Sequence, residues 1–151
     1  LKILFVCIGN SCRSPMAETI MQDVVKKNDL NWKIDSAGIA DWNVGYEPEP
    51  RCQQILSEHH LITNHIGRQI NESDFMEFDY IFGMDHSNIR DLLSIAPSQS
   101  KANIELLGNY SNGECDKIII DPYFDNGDHG FRRAYNQIEI CCNNFCKMHT
   151  Q

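Results

Sequence analysis

Nine residues near the start of the sequence, CIGNSCRSP at positions 7–15, combine a thiol, an arginine and a helix-start signal. They follow an unbroken apolar run that is typical of a buried strand. Small or turn-tolerant residues, Gly9, Asn10 and Ser11, separate the cysteine from the arginine. The backbone can therefore curl with successive N–H groups facing inward. Such a curl beside a helix N-terminus binds an oxyanion the size of phosphate.

Cys7 would lie at the bottom of this positive cup, which is formed by residues 8–13. The inward N–H groups, the helix dipole, Arg13 and the Ser14 hydroxyl would all favour the thiolate, which is a nucleophile. Arg13 offers a planar pair of donors that can hold two phosphate oxygens, a geometry that lysine lacks. The alternative is a buried structural Cys7 with Arg13 on the surface. The loop and helix start that follow Cys7 favour the cup.

A proton donor for the leaving group is predicted at Asp121, within the stretch Asp121-Pro122-Tyr123-Phe124. Pro122 stiffens the backbone after the carboxylate, and the two aromatic side chains can wall a cleft. An ordinary turn is the alternative, because Asp-Pro pairs commonly begin turns.

Three further residues are candidates for supporting roles. Trp42 follows Asp41 in a polar loop, and it could stack on an aryl substrate or cover the edge of the core. His65 could orient a loop by hydrogen bonding, although a lone histidine more commonly has a purely structural partner. Cys12 lies five positions after Cys7, and a disulfide between them would block the nucleophile reversibly. A small loop-filling residue is the alternative for Cys12.

Composition limits the class of protein. The 151 residues, 42% of them hydrophobic, suit one globular domain over residues 1–151. The net charge of −8 argues against general binding to nucleic acid or anionic membranes, but a small local anion pocket stays possible. The seven cysteines are irregularly spaced, and neither they nor the histidines show a metal-binding spacing. We expect a cytoplasmic protein with no metal, no other cofactor and no nucleic-acid or membrane partner.

The elements that position these residues alternate between strand and helix. Strands are predicted at residues 2–7, 32–36, 80–84 and 104–107. Helices are predicted at residues 14–27, 48–60, 86–95 and 131–148. Ser14 can cap the first helix, with Pro15 at its first position, and Asp85 can cap the third. Four short apolar strands separated by helices predict an α/β fold, with one parallel sheet covered on both faces and a ligand site at its carboxyl edge.

Four stretches resemble the low-molecular-weight protein tyrosine phosphatase family: VCIGNSCRSPMAE at 6–18, SAG at 36–38, DWNVG at 41–45 and DPYF at 121–124. They occur in the family's order, and the resemblance covers essentially the whole chain. It implies a flavodoxin-like three-layer sandwich and a metal-free, two-step hydrolysis of phosphotyrosine. Cys7 would form a phosphocysteine, Arg13 would hold the phosphoryl oxygens, and Asp121 would act first as acid and then as base.

The same resemblance implies roles for further residues. Asn10 and Ser36 would brace the loop, and Ser14 would hydrogen-bond to the thiolate. The cleft would be lined by Ile8, Trp42, Tyr123 and Phe124. The partners would be phosphotyrosine-containing proteins, with phosphate or other oxyanions bound in the site. Phe124 replaces a tyrosine that many members carry, whereas Tyr123 keeps a hydroxyl that could be phosphorylated.

Other functions stay open at this point. A thiol-dependent arsenate reductase resembles the family but needs relay cysteines, and none lies between Cys52 and Cys115. Hydrolysis of phosphoarginine is typical of relatives with threonine at the Ile8 position, so the bulky apolar Ile8 favours an aryl substrate. A non-catalytic phosphate-binding module would need neither Cys7 nor Asp121. A flavodoxin-type cofactor carrier would have no use for a nucleophile under the phosphate.

Overall fold

A four-stranded parallel sheet with the order β2-β1-β3-β4 forms the centre of the computed structural model, which describes residues 1–150. The strands are β1 (Lys2–Cys7), β2 (Lys33–Gly38), β3 (Tyr80–Gly83) and β4 (Asn103–Leu106). The helices are α1 (Arg13–Lys27), α2 (Pro50–Glu58), α3 (Asp74–Glu77), α4 (His86–Ile95) and α5 (His129–Met148). Two short 3-10 turns cover Leu107–Tyr110 and Pro122–Phe124.

The central strand β1 pairs with both β2 and β3, which places Cys7 beside Gly38. Its side chains alternate between the two faces of the sheet. Ile3, Phe5 and Cys7 face a core shared with α1, α2 and α5, whereas Leu4 faces a core shared with α3 and α4. Helices therefore cover both faces, and the predicted flavodoxin-like three-layer sandwich is confirmed. Cys7 ends the central strand at the carboxyl edge, where ligands bind in such sheets.

The four predicted strands and four predicted helices are all present, with ends that differ by no more than two residues. The single-turn helix α3 and the two 3-10 turns were not predicted, because one turn is too short to show a periodicity. The predicted cap of α1 was wrong. Cys12 occupies the N-cap position without a side-chain bond, and Pro15 is the third helical residue rather than the first. Ser14 lies inside the helix, where its hydroxyl bonds to Cys7 instead.

Helix α5 is amphipathic and packs along α1. Its buried face carries aromatic, aliphatic and cysteine side chains, among them Phe131, Ile138, Cys141, Cys142, Phe145 and Cys146. Charged and polar side chains occupy its other face, as expected for a helix at the surface of a globular fold. Within residues 1–150, no helix combines the length and the apolar character needed to cross a membrane.

Candidate active site

The loop between β1 and α1 forms a buried cup at the carboxyl edge of the sheet. Its sharp bend places Asn10 in the left-handed region, with φ of 52°, which asparagine tolerates better than most residues. Gly38, at the end of β2, packs directly against the bend. A Cβ atom at Gly38 would lie 3.1 Å from the backbone nitrogen of Asn10. The loop keeps its shape because an asparagine and a glycine stand where other side chains would be strained.

Asn10 ties the loop to three other parts of the fold. Its Nδ2 donates to Ser14 Oγ at 2.8 Å and to Ser36 Oγ at 3.1 Å. Its Oδ1 accepts from the backbone N–H of Arg68 at 3.1 Å and lies 2.6 Å from His65 Nε2. These partners come from α1, from β2 and from the segment that follows α2. The cup is thus preorganised by side chains beneath it.

The hydrogen bonds around Ser14 set the direction of the bond to the Cys7 sulfur. Cys7 Sγ lies 3.0 Å from Ser14 Oγ. Because Ser14 Oγ already accepts from Asn10, its single proton is free to be donated to the sulfur. A donated hydrogen bond favours the thiolate over the thiol. Cys7 is only 3% exposed, yet it lines a cavity of about 440 Å³ that opens to the surface.

Arg13 is buried beside Cys7, with 2% of its surface exposed. Its Nη1 donates to Asp85 Oδ2 and to the Ile119 carbonyl, both at 2.8 Å, and its Nη2 lies 3.8 Å from Asp121 Oδ2. Burial alone would lower the pKa of Arg13, but the neighbouring charges of Cys7, Asp85 and Asp121 outweigh it and raise that pKa. Its buried Nε has no hydrogen-bond partner among the described residues, so this N–H is free for an oxyanion.

Asp121 lies far from the cup in the sequence, in the segment between β4 and α5, but the fold brings it close to Arg13. Its Oδ1 accepts from the backbone N–H of Tyr123 at 3.1 Å, which begins the turn Pro122–Phe124, and its Oδ2 faces Arg13. The half-buried carboxylate lines the same cavity as Cys7. A carboxyl group held beside a nucleophile in this way can donate a proton to a leaving group.

Aromatic side chains form the outer wall of the cavity. Trp42 is 66% exposed and Phe124 is 81% exposed, while the Tyr123 and Phe124 rings meet edge to face at 5.2 Å. Because Trp42 stands in solvent, it does not cover the core, and stacking on a substrate is the better supported of its two predicted roles. The remaining lining residues are Ile8, Gly9, Cys12 and Asn43.

The other predicted site residues do not line the cavity. The side chains of Asn10, Ser14, Ser36 and His65 form hydrogen bonds that hold the shape of the loop. Ser11 is partly buried, and its carbonyl accepts from the backbone N–H of residue 49 at 2.9 Å.

Cys12 is part of the cavity wall, with only 3% of its surface exposed. Burial, followed by the charge of Cys7, raises the pKa of the Cys12 thiol, so this group stays protonated at neutral pH. Its carbonyl accepts from the Cys52 thiol at 3.4 Å. All seven cysteines are free in the structure. The disulfide between Cys7 and Cys12 stays a prediction.

Buried polar groups next to His65 hold its ring in place. His65 Nδ1 lies 2.9 Å from Glu18 Oε1, which also accepts from the Ser36 hydroxyl at 2.7 Å. Together with Asp35, Glu18 and His65 form the one group among residues 1–150 whose ligand atoms lie close enough to hold a metal, within 4.8 Å of one another. These atoms already bond to each other, and Arg68 pairs with Asp35 at 3.1 Å. The cluster has the satisfied bonding of a bracing network.

Some contributors to the site were not predicted from the sequence as site residues. Asp85 was expected only to cap α4, which it does by accepting from the Asn88 N–H at 2.8 Å, while its other oxygen binds Arg13. Its position two residues after the end of β3 was the available signal, because β3 neighbours β1. Asn43 donates to the Gly9 carbonyl at 2.9 Å from an irregular loop, which carries no such signal.

Comparison with known proteins identifies the family. A family model described as low molecular weight phosphotyrosine protein phosphatase matches residues 2–150. The chain belongs to this family. Low molecular weight phosphotyrosine protein phosphatase 1 of Drosophila melanogaster is 44% identical over 151 residues, which cover 99% of this chain and 97% of the relative. The resemblance to this family that the four sequence stretches indicated is thereby confirmed. This low molecular weight phosphatase is a cysteine-based enzyme.

Two solved structures match the low molecular weight phosphatase fold of the chain from end to end. A crystal structure described as a Drosophila arginine phosphatase has a TM-score of 0.94 and 49% identity, covering 100% of this chain and 99% of its own. A protein tyrosine phosphatase from Entamoeba histolytica with Hepes in its active site has a TM-score of 0.93 and 34% identity, covering 99% and 96%.

Proposed function

We propose that the protein hydrolyses phosphotyrosine in proteins through a phosphocysteine intermediate on Cys7. One observation carries the proposal: Cys7 and Asp121 line one cavity, and the buried Arg13 lies 3.8 Å from the Asp121 carboxylate with its charge interacting with Cys7. A nucleophile, an oxyanion grip and a proton donor are the parts that transfer of a phosphoryl group to sulfur needs. The aromatic outer wall suits the ring of an aryl phosphate.

In the first step, the phosphoryl group sits in the cup with its oxygens facing the backbone N–H groups. Arg13 Nη1 is occupied by Asp85 and Ile119, which leaves the Nε and Nη2 edge for two phosphoryl oxygens. Cys7 Sγ attacks phosphorus opposite the phenol oxygen, so the sulfur–phosphorus bond forms as the phosphorus–oxygen bond breaks. Asp121 gives its proton to the departing oxygen, which avoids release of a phenolate.

In the second step, water hydrolyses the phosphocysteine. Asp121, now a carboxylate, takes a proton from the attacking water, and the Cys7 thiolate leaves. The hydroxyl of Ser14 supports both steps, because it donates a hydrogen bond to the sulfur as nucleophile and as leaving group. The products are inorganic phosphate and an enzyme ready for another substrate.

Phosphoarginine is the second candidate substrate. It is favoured by the 49% identity with a structure described as an arginine phosphatase. The apolar Ile8 in the cavity wall and the aromatic outer wall favour an aryl phosphate instead. Phosphate release from phosphotyrosine, phosphoserine and phosphoarginine peptides, measured without added metal, tests the two. We expect the fastest release from phosphotyrosine. Faster release from phosphoarginine would reassign the substrate, and release from none would leave a phosphate-binding module.

Asp121→Asn tests the proton donor. We expect it to slow hydrolysis of phenyl phosphate, which has a poor leaving group, by about 10²–10⁴-fold. The loss with 4-nitrophenyl phosphate is expected to be smaller, since that phenolate departs more readily without a proton. Steady-state rates for both substrates make the comparison. Asp116→Asn, an exposed carboxylate in the same segment, is the matched control. An unchanged rate for phenyl phosphate would assign the proton donor elsewhere.

We also propose that Cys12 protects Cys7 from irreversible oxidation. Peroxide would convert the Cys7 thiolate to a sulfenic acid, and the Cys12 thiol would then displace water to form a disulfide. The seven free cysteines suit the reducing, cytoplasmic setting in which such a bond is reversed by cellular thiols.

Cys12→Ser tests this protection. After mild peroxide treatment, we expect the unaltered enzyme to recover its activity with dithiothreitol, whereas Cys12→Ser recovers far less because Cys7 proceeds to higher oxides. Mass spectrometry of the Cys7 peptide measures both products, and Cys115→Ser is the control. If the unaltered enzyme itself yields only sulfinic and sulfonic Cys7, the protective role is wrong.

A further inference from the structure

Arg51 at the start of α2 grips the backbone of the loop that carries Asp121. Its Nη2 donates to the Tyr123 carbonyl at 3.0 Å, and its Nη1 donates to the Asp125 carbonyl at 2.7 Å. A longer contact joins Nη1 to the Gly127 carbonyl at 3.4 Å. In the sequence, these carbonyls lie before and after Phe124, whose side chain is exposed. Arg51 therefore holds the stretch that follows Asp121 by hydrogen bonds to main-chain carbonyls. These bonds do not depend on the side chains of that stretch.

Arg51 is itself fixed in place. Its Nε donates to Glu49 Oε1 at 3.1 Å, and its guanidinium lies 4.6 Å from the centre of the Phe131 ring. The other carboxylate oxygen of Glu49 accepts from the Arg51 backbone N–H at 3.0 Å and so caps α2. A planar guanidinium can make these contacts at once, whereas a lysine ammonium lacks the flat fork that reaches both carbonyls.

The same turn of α2 also contacts the cup. The Glu49 backbone N–H donates to the Ser11 carbonyl at 2.9 Å, and the Cys52 thiol donates to the Cys12 carbonyl at 3.4 Å. Residues 49–52 therefore touch the nucleophile loop on one side and the loop of Asp121 on the other. They fix the spacing between the two loops.

The loop of Asp121 has few other ties near its exposed tip. Tyr123 and Phe124 are mostly exposed, so Pro122 is the one residue of this turn that burial holds in place. Its far end is anchored where the Asp125 carboxylate packs on Gly130. A Cβ atom at Gly130 would lie only 1.8 Å from Asp125 Oδ2. Between that anchor and Asp121, the hydrogen bonds from Arg51 are the contacts that join this turn to α2.

We propose that Arg51 is a positioning residue for Asp121, which it keeps over the cup by clamping the turn Pro122–Phe124 and the residue after it. The inference rests on the proposed role of Asp121 as proton donor. Displacement of a reacting group by about 1 Å costs roughly 10²-fold in rate, even when the substitution lies away from the chemistry. Loss of the clamp therefore acts on the proton transfer, while the cup and its nucleophile stay in place.

Arg51→Met tests the clamp, because methionine keeps an apolar stem against Phe131 but has no donors. We expect kcat for phenyl phosphate to fall by roughly 10–10²-fold and kcat for 4-nitrophenyl phosphate to fall only a few-fold. Inhibition by inorganic phosphate, which reports the cup, is expected to change by less than about twofold, since none of the donors to the phosphate is removed. Arg90→Met, at an exposed position on α4, is the matched control.

Arg51→Lys is measured in parallel and decides the question if Arg51→Met does not fold. It keeps the charge and can reach one carbonyl, so we expect the same leaving-group dependence with a smaller loss. Asp121→Asn in the same assays separates this inference from the proposed function. If Asp121→Asn depends on the leaving group and the Arg51 variants slow both substrates equally or neither, the clamp is wrong and the proposed function stands. If Asp121→Asn shows no such dependence, the proposed function itself fails.

Discussion

Cys7→Ser is expected to abolish hydrolysis of aryl phosphates, with a loss of about 10⁴-fold or more, as found when an enzyme loses its nucleophile. A serine hydroxyl in the cup is not ionised at neutral pH and attacks phosphorus far more slowly than a thiolate. The substitution changes one atom and leaves the backbone N–H groups and Arg13 in place. Phosphate binding should therefore persist. Steady-state turnover and calorimetric titration with inorganic phosphate measure the two properties.

Cys115→Ser makes the same chemical change at a half-buried position outside the cup, and it is the control for nonspecific effects. Turnover by Cys7→Ser close to that of the unaltered enzyme would mean that another group attacks the phosphorus. Loss of both turnover and phosphate binding, with an unfolded circular dichroism spectrum, would instead show that the thiol is needed for the fold.

Arg13→Lys is expected to lower kcat/KM by roughly 10²–10³-fold, the usual cost of removing a donor to a developing oxyanion. Lysine keeps a positive charge and can satisfy Asp85 or the Ile119 carbonyl. It cannot bond to both while presenting a second edge to the phosphoryl oxygens. The inhibition constant for inorganic phosphate should rise with the loss of rate, because the same edge binds the product.

Arg133→Lys, an exposed arginine on α5, is the control for the generic effect of this exchange. Near-normal kinetics for Arg13→Lys would show that charge alone suffices and that the fork geometry is irrelevant. A thermal melt of each variant separates a kinetic defect from loss of the partly buried ion pair between Arg13 and Asp85.

The sequence predicted the parts of the fold that depend on local pattern. The apolar run that ends at Cys7 marks a strand buried on both faces, and the spacing of apolar residues in α1 and α5 marks helices that each bury one face. The alternating order of strands and helices along the chain then predicts a parallel sheet with a ligand site at its carboxyl edge. The candidate groups Cys7 and Arg13 were found because strand, loop and helix adjoin in the sequence.

The residues that the sequence did not reveal act through tertiary contacts. Asp85 is 72 positions from Arg13, and Arg51 is 74 positions from Asp125, so no local pattern joins either pair. Ser14 shows the converse difficulty. Its type and position predict a helix cap, but its hydroxyl instead donates to the sulfur of Cys7 and accepts from the amide of Asn10. A hydroxyl that could cap a helix or bond to other groups forms the hydrogen bonds whose partners the folded chain brings within reach.

The four bonds of Asn10 also bear on how the enzyme becomes active after synthesis. The groups that meet at this side chain are separated by as many as 58 positions along the chain, and contacts across such distances form late because loop closure must come first. We expect the loop between β1 and α1 to acquire its shape only when the whole sheet has formed. A nascent or partly unfolded chain would then be inactive towards cellular phosphoproteins. The measured activity would reflect the amount of folded enzyme rather than the total amount of polypeptide.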